Sequence, residues 1–447
     1  MAHWIPVLIA IPIAGAVLAP VLPHRLAHLW GLLILAVTTG IAVALVVATP
    51  LSYEMGGWPA PYGIELLFDP LSGFSVVVAF ITLLALASSL GASGPLASRE
   101  GVAVILLGAG GMAGFLVAGD FFTLFVFLEI FSLAAYGMVA MSEERGAGLA
   151  AFRYLLMGAS ASIVILLSVG LVHTLTGSLN LADVGARLPE GGLPLHLAMA
   201  GFTAGFLVKA AAFPLHVWLP DAHATAPSPV SAILSGLVVK MGIIGLIRTP
   251  TADDLFLWIG GASLLAGALL ALVQSDAKRI LAYSTVANIG LIVVGLSVEW
   301  SGAVIHMVNH AVAKAALFLA AGAFIHQAGS RLLDGVGRQM PLTTVAFALA
   351  AISVVGIPPT GGFTGKWLIA VGALEAGHVS LVVILVFSSV VLAFCYGRLL
   401  DRLLFAPPRA GIGEAPVSML VPIVLLALLS VGLGFAGRPL VSLLGGP

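Results

Sequence analysis

Lys209-Ala-Ala-Ala-Phe-Pro214-Leu-His216-Val-Trp218-Leu-Pro220-Asp221-Ala-His223 closes an apolar stretch that begins near residue 195. Such a stretch is long enough to cross a bilayer, which takes about 20 helical residues. Lys209 lies deep in the run, and prolines follow it. Proline lacks an amide donor and its ring clashes with the preceding turn, so the helix has to open at Pro214. An ionisable side chain beside an opened helix, inside a span, is a functional feature by default.

A second stretch repeats the arrangement: Gly356-Ile-Pro358-Pro359-Thr-Gly361-Gly362-Phe-Thr-Gly365-Lys366. Between and around the two, apolar runs recur down the whole chain. Fourteen spans are expected, near 4–22, 27–49, 71–93, 101–118, 121–141, 150–174, 195–218, 229–248, 254–273, 279–297, 301–325, 342–371, 379–399 and 417–438. Apolar residues make up 60% of the 447, charged residues only 8%, and the mean hydropathy is +1.17. Soluble domains carry roughly 25% charge, so this chain could not cover a soluble surface. A net charge of −1 without a basic stripe leaves no footprint for nucleic acid. The single cysteine, Cys395, provides neither an intrachain disulfide nor a thiolate cluster. Barrel-like alternation is absent, and lipid leaves helix as the remaining way to satisfy the backbone. The first span reads as a retained helix, since no Lys or Arg precedes it and it outruns a signal core. The expectation is an all-α polytopic protein with a single transmembrane domain over 1–447.

The two breaks lie five spans apart. A unit with an odd number of spans, repeated in tandem, enters the membrane from the opposite side. Spans 4–8 (101–248) and 9–13 (254–399) therefore read as inverted repeats, each with a broken fourth helix, a pattern that points to a transport site at the midplane. The bland reading is a pair of ordinary proline kinks. Orientation follows from the basic residues. Arg25, Arg99, Arg145, Lys278, Arg279, Arg331, Arg338, Arg398, Arg402 and Arg409 fall on one side, and Arg187, Arg248 and Arg438 on the other. The positive-inside rule then puts both termini outside. The longest connections, 50–70 and 176–194, read as ordinary turns rich in Gly, Pro and Leu.

Five basic residues remain within spans: Arg153, Lys209, Lys240, Lys314 and Lys366. Lysine can lose its proton when buried, whereas arginine stays charged. A chain needing switchable charge at depth would place its lysines there and its arginines at the surface, as this one does. Arg153, about one turn inside its span, reads as snorkelling to the interface. The acid clearly at mid-span is Glu129, in Phe121-Phe-Thr-Leu-Phe-Val-Phe-Leu-Glu129; its candidate partners are Lys209 and Lys240, and a neutral carboxyl bonded to a neighbouring helix is the alternative. His306-Met-Val-Asn-His310-Ala-Val-Ala-Lys314 puts two imidazoles and an amine at i, i+4 and i+8, one face suited to passing protons. Metal binding by His306 and His310 lacks a further clustered ligand, and packed core histidines are the plainer alternative. Gly108-Ala-Gly110-Gly111-Met-Ala-Gly114 has the wrong spacing for a dinucleotide loop and reads as helix packing. Asp253-Asp254 suits a helix N-terminus.

Several of these segments resemble the antiporter-like subunits of respiratory complex I, membrane-bound hydrogenases and Mrp-type cation/proton antiporters. They are Glu129 in its aromatic span, Lys209 before a broken helix, Trp218-Leu-Pro-Asp-Ala-His223 and Ala226-Pro-Ser-Pro-Val-Ser-Ala232, together with His306-x3-His310-Ala-x2-Lys314 and Gly356-Ile-Pro-Pro…Gly365-Lys366. The resemblance implies fourteen helices with a hydrated, charged axis at mid-membrane. It makes Glu129 and Lys209 a coupling pair, Lys240, His306, His310 and Lys314 the link, and Lys366 the terminal proton site. It further implies no cofactor on this chain, with flavin, iron–sulfur or other redox centres in partner subunits. The implied partners are antiporter-like paralogues and a redox arm, with protons, and Na+ in the Mrp alternative, as cargo. The implied setting is the cytoplasmic membrane of a prokaryote. Two departures stand out: one complex I subunit type carries a glutamate where Lys366 is, and the long lateral helix of the largest type is missing after span 14. A polytopic enzyme acting on lipids or sugars is the remote alternative.

Overall fold

The computed structural model describes residues 1–91, 94–252, 255–331, 333–409 and 411–436. Arg438, Asp253 and Asp254 lie outside the described residues. In chain order the elements are α1 (Trp4–Leu18), α2 (His24–Ala48), β1 (Leu51–Glu54), β2 (Glu65–Phe68), α3 (Phe74–Ser89), α4 (Arg99–Val117), α5 (Phe121–Ala140), α6 (Ala147–Thr176), α7 (Leu181–Arg187), α8 (Leu193–Ala210), α9 (Trp218–Thr225) and α10 (Ser228–Ile233). There follow α11 (Val239–Arg248), α12 (Phe256–Leu272), α13 (Ala277–Val298), α14 (Trp300–Ala328), α15 (Pro341–Val355), α16 (Gly361–Glu375), α17 (Val379–Phe405) and α18 (Val417–Gly432). Among the described residues, eleven helical stretches are long and apolar enough to cross a membrane, and α12, α15 and α18 are shorter apolar helices.

The bundle is organised around α14, which packs against α10, α13, α15, α16 and α18. It is buried from Gly302 to Phe324, so its polar side chains face protein on every side. Peripheral helices instead expose large apolar side chains, such as Leu33 and Val43 on α2, Ile163 and Leu167 on α6, and Val383 and Phe394 on α17. That inversion of the soluble pattern is what a lipid solvent requires. The glycine run of α4 is a packing seam, with Gly114 facing the Phe127 ring of α5.

Both expected breaks are present. Helix α8 stops at Ala210, Ala211 turns left-handed at φ 58°, and Pro214 lies in the connection to α9. The carbonyls stranded at the helix end are satisfied locally: Leu207 O accepts from Ala212 N, and Val208 O accepts from Ala211 N and from Trp218 Nε1, each at 3.0 Å. Helix α15 stops at Val355, Gly356 turns left-handed at φ 89°, and Pro358 and Pro359 precede α16. Each helix ends a few residues before its proline, because the ring excludes the turn before it.

One span and two connections differ from expectation. The eighth span is not one α-helix: a π-helical segment, Leu234–Val238, separates α10 from α11. Region 50–70 is a hairpin rather than plain turn. Strands β1 and β2 pair antiparallel with Leu51 opposite Phe68 and Glu54 opposite Glu65, and β2 buries Leu66 and Phe68. Region 176–194 contains α7, whose first amides donate to the Asn180 side chain. These pieces interlock: Asn180 Nδ2 donates to Glu65 Oε2 at 2.8 Å, Gly119 N to Glu65 O at 3.0 Å and Leu181 N to Gly119 O at 3.0 Å. Backbone that would otherwise be orphaned is thus paired across three connections.

Candidate functional site

Glu129 and Lys209 meet at 3.9 Å between α5 and α8. Lys209 is 5% exposed at its side chain and Glu129 34%, so the acid opens toward the periphery of the chain while the lysine is enclosed. Ser162 of α6 donates to Glu129 Oε1, and Lys209 Nζ donates to Ser132 Oγ at 2.9 Å and to the Tyr136 hydroxyl at 3.3 Å.

Lys240 does not join Glu129. Its Nζ lies 2.7 Å from His310 Nδ1 and donates to the Ser235 carbonyl. Ser235 belongs to the π segment, where the turn is widened. Sequence spacing gives no hint of that acceptor. His306 Nε2 is 3.0 Å from Asn288 Oδ1, and the two imidazole centroids are 6.1 Å apart. Lys314 Nζ donates to Leu281 O at 2.7 Å, to the Tyr396 hydroxyl at 3.2 Å and to Ser284 Oγ. Lys366 Nζ donates to Val355 O at 2.9 Å and to Ser389 Oγ at 3.1 Å, capping the end of the broken helix it follows.

Six of the seven expected residues are thus buried inside the bundle, and Glu129 is partly exposed. Among the described residues no direct hydrogen bond joins Lys209 to Lys240, His310 to Lys314 or His306 to Lys366. Lys240, Lys314 and Lys366 are nevertheless within electrostatic reach of His310. His306 and His310 gather no third ligand; among the described residues no three His, Cys, Asp or Glu are grouped as a metal ion requires.

Arg153 is paired at its head: its Nη1 meets Asp221 Oδ2 at 2.9 Å, and Arg279 meets the other oxygen of Asp221 at 2.9 Å. One assignment changes. Lys278 is not a loop charge. It is buried and donates to Ala226 O at 2.8 Å, just after the Pro-Asp-Ala-His run. His223 of that run is fully buried and stacks on Phe318 at 4.5 Å, within electrostatic reach of Lys240, Lys278 and Lys314. The supporting hydroxyls went unread in the sequence. Glu129, Ser132 and Tyr136 do show an i, i+3, i+7 spacing, which was a usable signal.

Membrane-length helices enclosing a row of lysines and histidines, with a lysine at each of two broken helices, define a class: polytopic membrane proteins with ionisable side chains buried in an apolar interior. Residues 118–392 match the NADH:quinone oxidoreductase/Mrp antiporter transmembrane family, and the chain belongs to that family. NADH-quinone oxidoreductase subunit N of Desulforudis audaxviator is 38% identical over 442 residues, covering 90% of this chain and 88% of the relative. A subunit of the Na(+)/H(+) antiporter of Bacillus subtilis is 28% identical, covering 81% of this chain and 78% of its own length. Among solved structures, a chain of the membrane-bound sulfane sulfur reductase, an archaeal respiratory membrane complex, superposes with a TM-score of 0.92 at 28% identity, over 98% of this chain and 96% of that one.

Proposed function

We propose that this chain is a proton-translocating, antiporter-like subunit of a redox-driven multisubunit membrane complex. Its working residues are Glu129, Lys209, Lys240, His306, His310, Lys314 and Lys366. The observation that carries the reading is the 2.7 Å contact between Lys240 Nζ and His310 Nδ1, both fully buried. An amine and an imidazole one hydrogen bond apart exchange a proton without moving a heavy atom, and both groups can exist uncharged. Water completes the path where no direct bond exists. Moving one charge across 100 mV costs about 2.3 kcal/mol, within what burial and a neighbouring carboxylate exert on a lysine.

In this reading Glu129 and Lys209 couple the path to a partner, since the acid is the partly exposed end of the row. Flavin, iron–sulfur or other redox centres belong to partner subunits, alongside antiporter-like paralogues. Residues 101–248 and 254–399 form two inverted repeats. The same packing order supports this, α4 on α5 on α6 on α8 in one and α12 on α13 on α14 on α15 in the other, with a left-handed residue ending the fourth helix of each. Both termini lie outside a prokaryotic cytoplasmic membrane by the count of basic residues.

A subunit of an Mrp-type Na+/H+ antiporter is the second reading, supported by the similarity to the Bacillus subtilis antiporter subunit. The longer, higher-identity match to the oxidoreductase subunit favours the first. The test is proton movement in liposomes by the complex purified with its partners in mild detergent. Lys209→Ala or Glu129→Ala complexes are expected to lose most of it, and full-rate movement in both would overturn the reading. Dependence on added Na+ would favour the second.

A further inference from the structure

Helix α5 offers the Lys209 ammonium more than one seat. Glu129, Ser132 and Tyr136 lie on one face, about 4.5 and 10.5 Å along the axis from the acid. The ammonium occupies the middle: 2.9 Å from Ser132 Oγ, 3.3 Å from the Tyr136 hydroxyl and 3.9 Å from Glu129. An amine that merely neutralised the acid would sit against it at about 2.8 Å.

Helix α6 holds both ends of this arrangement. Ser162 donates to Glu129 and has a second acceptor, the Gly158 carbonyl of its own helix, at 3.0 Å. A hydroxyl has one proton, so the acid and the backbone carbonyl compete for it. One turn away, Gly158 is a hollow for the tyrosine: a Cβ there would fall 1.8 Å from the Tyr136 hydroxyl. The Tyr136 ring meets Tyr154 edge-on at 4.5 Å, Tyr154 stacks on Trp218 at 4.0 Å, and Trp218 Nε1 caps Val208 O, next to Lys209. The seat and the broken helix carrying the lysine are therefore built on one aromatic stack.

We propose that Ser132 and Tyr136 form a second seat for the Lys209 ammonium while Ser162 retains Glu129, so that the pair is held one step apart and can close or open without leaving the bundle. Ser132, Tyr136 and Ser162 are positioning residues: they set which seat the ammonium takes. This rests on the functional reading of the Glu129–Lys209 pair given above.

The test uses the complex with its natural partners in liposomes containing a pH-sensitive dye. Tyr136→Phe keeps the ring packing and removes the seat; it is expected to slow proton movement about tenfold, the scale of one hydrogen bond to a charge. Gly158→Ala, which fills the hollow, is expected to act likewise, and Ser132→Thr to restore most of what Ser132→Ala loses. In a Glu129→Gln background, where no acid competes for the ammonium, Tyr136→Phe is expected to add less than about twofold, the mark of residues acting as one unit. Tyr136→Phe at the normal rate, or a loss that multiplies fully with Glu129→Gln, would overturn the second seat. A Glu129→Gln complex at the normal rate would instead overturn the coupling role of the pair.

Discussion

Arg248 grips Asp69 at two points, Nη1 to Oδ2 at 2.5 Å and Nη2 to Oδ1 at 2.7 Å, tying the end of α11 to the loop after the hairpin. The guanidinium also donates to Leu116 O at 3.1 Å, so three segments converge on one side chain that is 9% exposed. Burial alone would raise the Asp69 carboxyl, but Arg248 and Ser72 outweigh it and hold the carboxyl below the usual carboxylate range. A depressed carboxylate contributes stability above its unfolded value, near 3.9, and loses it as pH falls through the lower folded value. Asp69→Asn leaves a buried cation unpaired and is expected to cost about 3–5 kcal/mol at neutral pH. Thermal unfolding in detergent should show that deficit at pH 7 and a narrowing gap below about pH 4. An equal gap at both pH values would rule out the charge as its source.

Arg153 supplies the contrast. Its contact with Asp221 has nearly the same length, 2.9 Å, but its side chain is 57% exposed. Solvent screens such a pair and leaves about 0–1 kcal/mol. Asp221 would keep Arg279 as a partner. Arg153→Gln is therefore expected to unfold within about 1 kcal/mol of the parent, whereas Arg248→Gln is expected to fall several-fold further. Similar losses for the two variants would show that exposure does not separate them.

At Lys240 the identity of the cation is the question. Arginine keeps the positive charge and cannot release its proton under working conditions. Lys240→Arg is expected to move protons no better than Lys240→Ala, both about tenfold or more below the parent, with the complex still assembled. His310→Ala should match them, because Lys240 then loses its 2.7 Å partner. Wild-type transport by Lys240→Arg would mean that a fixed charge suffices there.

The residues at depth were legible because they violate the composition around them: a lysine or glutamate in an apolar span needs no structure to be noticed. The proline breaks were legible for the same local reason. Their partners were not. Ser132, Ser162, Ser284 and Ser389 are unremarkable in apolar helices, and which of them meets a lysine or the glutamate depends on tertiary packing. The π segment beside Lys240 carries no proline in Leu234-Ser-Gly-Leu-Val238, and its Ser-Gly pair alone does not separate a π turn from an ordinary one. Lys278 misled because its sequence position near a span end resembles that of a surface charge, whereas the chain folds Ala226 over it. The hairpin hid in a loop whose alternation runs only from Glu65 to Phe68.

The two helix breaks make opposite demands on their left-handed residues. Ala211 adopts φ 58° with a side chain, and Gly356 adopts φ 89° without one. A left-handed non-glycine residue costs about 1–2 kcal/mol. Ala211→Gly relieves that strain and loses a buried methyl worth about 0.8 kcal/mol, so its stability is expected to stay within about 1 kcal/mol of the parent. Gly356→Ala has no such offset. It adds the strain, and its Cβ would fall 2.7 Å from Lys366 Cδ, displacing the stem whose ammonium caps Val355 O. It is expected to lose about 2 kcal/mol or more and to slow proton movement through Lys366. Thermal unfolding paired with liposome transport separates the two sites: Ala211→Gly near the parent in both assays and Gly356→Ala low in both. Equal tolerance at 211 and 356 would mean that the second break does not depend on the space beneath Lys366.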